Sequence, residues 1–154
     1  MILVNRYKIM AQITEDYVSF ETAKLLKEKG FNETCRAFWK DWNGELHLCS
    51  CCSNHVFEWC HNSMLENYND NEETNIAAPT LQMAMKWLRE KHNLIISVKF
   101  TIHGWLCDIT KIFRDSNGFI VNINHGVNDD VLPYCDEYEK SCDMAIKYCL
   151  ENLI

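Results

Sequence analysis

The stretch AAPTLQMAMKWLRE, from Ala77 to Glu90, constrains the fold more than any other. It reads as a helix with a sharp start, because proline suits the first helical turn and a threonine hydroxyl caps an orphan amide. Leu81, Ala84, Trp87 and Leu88 share one face at i, i+3, i+6 and i+7 spacing, which predicts a helix over 79–92 ended by His92 and Asn93. Directly afterwards Leu94, Ile96, Val98, Phe100 and Ile102 alternate with Ile95, Ser97, Lys99, Thr101 and His103. That period of two predicts a strand with one buried face and one polar face.

The rest of the chain repeats these themes. His103 and Gly104 read as a turn, Trp105 to Phe113 as the next strand, and Asp115-Ser116-Asn117-Gly118 as a hairpin turn, because Asn-Gly tolerates positive φ. Phe119, Val121 and Ile123 continue the sheet. Upstream, residues 1–18 read as an extended arm. Ser19 looks like the N-cap of a helix over 19–29, with Gly30 in a left-handed C-terminal position before apolar Phe31. Thr34 to Lys40, Glu45 to Cys49 and His55 to Cys60 are strand candidates, and Asn62 to Asn75 reads as loop. Near the end, Tyr138, Cys142, Ala145, Ile146, Cys149 and Leu153 form a stripe that predicts a helix over 136–151. Cys135, Cys142 and Cys149 recur every seventh residue, a spacing that places all three on that helix.

The expected architecture is α+β: one antiparallel sheet of about four to six strands with three helices mainly on one face. The element order is helix, strands, helix, strands, helix, in a single domain over 1–154. Lys24–Lys29 aligns in character with Lys86–Lys91, and each is followed by strand-like sequence. The echo fits a degenerate duplication of a helix-plus-meander unit (19–60 and 79–124), and equally coincidence.

Composition narrows function. The formal net charge of −7 disfavours double-stranded nucleic acid or an anionic membrane as partner. No apolar run reaches the roughly 20 residues of a membrane span. Met1-Ile2-Leu3-Val4 is too short for a signal peptide, so a cytoplasmic protein is expected. The 9 cysteines, an odd number, then read as reduced thiols. Neither a P-loop, a dinucleotide fingerprint, a zincin helix nor a nucleophile elbow occurs, which leans away from an enzyme.

Three constellations bear chemistry. His47, Cys49, Cys51, Cys52, His55 and Cys60 are ligand types that zinc selects, although their spacing matches no standard knuckle. Gln82, Lys86 and Arg89 form a polar stripe opposite the apolar face of the 79–92 helix, and its start at Thr80 offers amides to a phosphate. Trp42 and Trp105 sit beside turns, where exposed rings stack on ligands such as nucleotide bases. The bland reading of these features is idle thiols, a solvated helix face and rim packing.

Three stretches carry a resemblance: Val18–Phe31, Ala78–Glu90 with His92 and Asn93, and Ala145–Ile154. They resemble a family of small uncharacterised proteins carried by gut anaerobic bacteria and their phages or prophages. The Cys/His-rich middle, 45–61, departs from the family pattern. The resemblance implies a phage accessory setting and supplies no catalytic residue. The expected function is a non-enzymatic, homo-oligomeric binding protein for counter-defence. It would sequester a nucleotide-derived host signal or bind a host protein, with contacts at Trp42, Thr80, Gln82, Lys86, Arg89 and Trp105. The alternatives are an interaction module with a Cys/His zinc site, and a cysteine-dependent enzyme acting on a small molecule.

Overall fold

The computed structural model describes residues 15–48, 67–69, 75–114, 116–118, 120–125 and 132–154. In chain order these form α1 (Phe20–Glu28), β1 (Ala37–Lys40), β2 (Leu46–Leu48), β3 (Asn75–Ala77), α2 (Leu81–His92), β4 (Leu94–Thr101), β5 (Gly104–Arg114), β6 (Ile120–His125) and α3 (Tyr138–Asn152). The fold is α+β, and the strands lie in two antiparallel sheets rather than the single one expected. The first runs β2-β1-β3 and the second β4-β5-β6. The division arises because β3, which begins at the last residue of the stretch read as loop, pairs with β1, with Trp39 opposite Ile76. The strand expected over 55–60 lies outside the described residues.

The two helix-plus-sheet units differ in topology. β1, the first strand of its unit, is central, whereas in the second unit the middle strand β5 is central. Only the second is a meander.

The helix ends follow from local chemistry. Ser19 Oγ accepts from the Thr22 amide and Thr80 Oγ1 from the Met83 amide, each the third residue beyond its cap. Gly30, at φ +83°, closes α1, and the Phe31 amide bonds back to Leu26 O. Asn93 closes α2 at φ 57°. Asp143 on α3 fastens the start of α1. Its carboxylate accepts from the Ser19 amide at 2.9 Å and from the Thr22 hydroxyl at 3.1 Å.

The core lies where α2 and α3 pack on β4 and β5, and where α1 packs on α3 and β3. Leu26, Phe31, Leu88, Leu94, Ile109, Ile146 and Leu150 are fully buried. Each such side chain contributes about 1.5–3 kcal/mol from leaving water. Leu81, Ala84, Trp87 and Leu88 are the buried residues of α2, as the periodicity predicts. Cys142 and Cys149 lie in the buried face of α3. Cys135 does not belong to that helix. It precedes α3 and forms an antiparallel bridge with Trp105, through amide–carbonyl bonds of 2.8 and 2.9 Å. The seven-residue spacing is therefore helical only for the last two cysteines. Among the described residues no helix is long and apolar enough to cross a membrane.

Candidate functional site

Of the six residues expected to contact a ligand, the structure brings three together. Thr80 and Gln82 line a pocket of about 240 Å³ at the start of α2, together with Leu81, Tyr138, Glu139, Glu15 and Asp16. Gln82 Nε2 donates to the Tyr138 hydroxyl at 3.3 Å. Trp105 meets the Tyr138 ring edge-on, with centroids 5.2 Å apart. Lys86 belongs to a different pocket, of about 170 Å³, with Glu33, Met83, Trp87, Glu90 and Lys91. Its ammonium lies 3.9 Å from the Glu90 carboxylate. Arg89 is exposed on the same polar stripe. Trp42 is 72% exposed in the turn between β1 and β2, and no described contact joins it to the other five.

The helix start is not an open phosphate cradle. Its first amide, Leu81 N, donates to Asp16 O at 2.9 Å, and its third, Met83 N, to the Thr80 hydroxyl. The arm that supplies Asp16 is held there by the Tyr17–Thr80 bridge and by Val18 N donating to Pro79 O. Three carboxylates in the pocket wall further oppose an anion.

The side chains that extend this site were read as strand core. Phe100 and Ile102 continue the apolar alternation of β4, which predicts burial. They are instead 70% and 94% exposed: Phe100 lies near the end of β4, where Tyr138 of α3 packs on the opposite Trp105 and leaves Phe100 open, and Ile102 lies in the turn beyond the strand. Phe100 packs on Trp105 at 5.0 Å, and His103 on Tyr134 at 5.4 Å. Tyr134 is itself 50% exposed. Phe100, Trp105 and Tyr138 thus form an aromatic ledge leading to the carboxylate pocket, with Ile102 and the His103–Tyr134 pair exposed at the adjoining turn. Burial raises the Tyr138 phenol, against the hydrogen bond from Gln82. Gly104 makes the turn that builds this ledge possible. Its φ is +116°, and a Cβ there would stand 2.6 Å from Cys135 O. The sequence signal available was Gly104 after an apolar run, which marks a tight turn and therefore an end to cover.

The described cysteines are poor nucleophiles. Cys107 Sγ lies 3.1 Å from Ser141 Oγ, and the Cys142 thiol bonded to it lowers its pKa against the opposing effect of burial. The Cys142 thiol is pushed up in return. Burial raises Cys35 and Cys149 to about 12 and also raises Cys135. Cys107, the one described thiol pulled down, is 1% exposed and meets no solvent-borne substrate.

Of the zinc candidates, Cys49, Cys51, Cys52, His55 and Cys60 lie outside the described residues. His47 stacks on Phe38 at 5.5 Å and approaches Glu45 at 3.7 Å. No group of three or more metal-ligating side chains occurs among the described residues. Asp108 is a buried acid that periodicity did not mark. It pairs with Lys99, and its Oδ1 has no hydrogen-bond partner among the described residues. It follows Cys107 in β5 and so points to the opposite sheet face from Trp105.

Comparison with protein-family models, with curated proteins and with solved structures finds no match.

Proposed function

We propose that this chain is a non-enzymatic binding protein of the phage or prophage setting its helices resemble, acting against host defence by occupying a host protein. The observation that carries this reading is the apolar surface at the hairpin end of β4 and β5, where exposed Phe100, Ile102 and Tyr134 stand beside half-buried Trp105 and Tyr138. Exposed apolar surface of this kind marks interaction sites on soluble proteins, and aromatic anchors carry much of the energy of protein interfaces.

The alternative of sequestering a nucleotide signal has less support. The pockets of about 240 and 170 Å³ flanking α2 fall below the roughly 300 Å³ at which sites for drug-sized ligands begin. The larger one is lined by carboxylates, which repel phosphate. An enzyme reading would need an accessible activated group, and among the described residues the one lowered thiol, Cys107, is buried. Such a protein would meet its partner in the cytoplasm of the bacterial host.

The test is plaque formation on hosts carrying defined defence systems, with and without expression of the chain. The native protein is expected to restore plaques on at least one such host. A Phe100→Ala, Ile102→Ser double variant, expressed at the same level, is expected not to. Full restoration by the double variant would remove the ledge from the account.

A further inference from the structure

The ledge and the pocket beside it differ in chemistry, and together they select a partner. We infer that the partner presents a cationic segment. A lysine or arginine side chain enters the pocket of Glu15, Asp16 and Glu139, while an adjoining apolar residue covers Phe100 and Ile102. The inference rests on the reading of this ledge as the binding surface and adds the class of partner.

The first argument is charge. Some acids elsewhere are matched: Glu21 meets Lys147 at 2.7 Å, Asp41 meets Lys24 at 3.2 Å, and Asp108 meets Lys99. Among the described residues the pocket wall contains Glu15, Asp16 and Glu139 and no basic side chain, and none of the three carboxylates forms an ion pair. Asp136 and Glu137, both exposed, lie just before α3 and add negative charge near its start. An uncompensated carboxylate cluster in a concave site attracts cations, and the net charge of −7 extends that attraction outwards.

The second argument is shape. A pocket of about 240 Å³ accommodates one long side chain and is too small for a drug-sized ligand. Its wall is partly aromatic, with Tyr138 inside it and Trp105 against Tyr138. An ammonium or guanidinium is stabilised beside such rings as well as by the carboxylates. Gln82 and Thr80 leave the rim polar, which suits a hydrated charge at the end of an aliphatic stem.

The third argument excludes the other occupants. A second copy of this chain brings the same acidic pocket to a twofold interface, where like charges oppose each other. Nucleic acid is repelled for the same reason. A neutral apolar segment would use the ledge but leave the carboxylates without a role.

The test is an NMR titration of the isotope-labelled full chain with three peptides of equal length, in which leucine alternates with lysine, glutamine or glutamate. The lysine peptide is expected to give saturable shifts at Gly104, Trp105 and Tyr138, weakening as salt approaches about 0.5 M. Glu15→Gln combined with Glu139→Gln is expected to lower its affinity about tenfold. Both positions are exposed, so the variant keeps its dispersed spectrum. Equal binding by the glutamine or glutamate peptide at the same residues would overturn the cationic class while leaving the ledge as a binding surface. Absence of saturable shifts there with all three peptides would overturn the surface as well. Self-association in sedimentation that disappears with Ile102→Ser would give the ledge to a second copy and also overturn the inference.

Discussion

One face of β4 holds both buried and exposed apolar side chains, and the turn beyond the strand adds another exposed one. At the start of β4, Leu94 is 0% and Ile96 8% exposed; in the same alternation, Phe100 is 70% and Ile102 94% exposed. Their partners on β5 follow suit. Ile109, opposite Ile96, is fully buried, whereas Trp105, opposite Phe100, is half-buried. Nothing in the residue types separates the two ends. The separation comes from cover: α3 runs along β5 as far as Trp105, which its first residue Tyr138 meets edge-on, while Phe100 near the end of β4 and Ile102 in the turn stay exposed. Periodicity identifies a face, and tertiary packing decides how far along that face the core extends.

The largest expected effect breaks the covered end. Leu94→Ala or Ile109→Ala should cost about 2–5 kcal/mol in urea unfolding, through lost transfer energy and the cavity left behind. Ile102→Ser at the open end should change stability by less than about 0.5 kcal/mol. Comparable losses at the two ends would mean that the exposed tip is structural after all.

Gly104 stands at the boundary. Gly104→Ala should destabilise by about 1–3 kcal/mol, because positive φ strains alanine and the added methyl meets the Cys135 carbonyl. A thermal scan measures it. An unchanged midpoint would show that the Trp105–Cys135 bridge yields without cost.

A smaller effect sharpens the covered end through pH. Burial, aided by Lys111 and Lys29, holds the His92 imidazole below its ordinary 6.5. The unfolded chain therefore takes up a proton more readily than the folded one. Stability is full above that ordinary value and declines as pH falls through and below it. His92→Gln should flatten this part of the urea midpoint against pH. Parallel curves for parent and variant would assign the decline to other groups.

The smallest effect concerns the polar stripe of α2. Lys86→Ala and Arg89→Ala should each shift stability by no more than about 0.5 kcal/mol. Lys86 is already half-matched by Glu90, an exposed pair of low value. Tight nucleotide binding lost in these variants would restore the phosphate reading.

The helices were legible because their signals are local. Ser19, Thr80, Gly30 and Asn93 announce ends within a few residues, and the buried face of α2 follows from four spaced side chains. β3 was not legible, since three residues, Asn75–Ala77, carry too little pattern within an Asn- and Glu-rich stretch. Thr80, Gln82 and Trp105 stand out in the sequence and lie near one pocket, whose character was not legible. The carboxylates come from three places in the chain, Glu15 and Asp16 on the arm and Glu139 on α3. The Tyr17–Thr80 bridge, the backbone bonds beside it and the docking of α3 bring them together. Charge read along the sequence showed Lys86 and Arg89 and pointed to an anion. Charge read in space shows the opposite sign at the helix start.

The central claim is that the open end of β4 and β5 serves binding rather than folding. Its most direct test is the affinity of Ile102→Ser for the lysine–leucine peptide, measured on protein whose unfolding midpoint matches the parent. The account predicts an affinity lowered about tenfold, the loss of one buried aliphatic side chain from the interface. Unchanged affinity in the fully folded variant would contradict it.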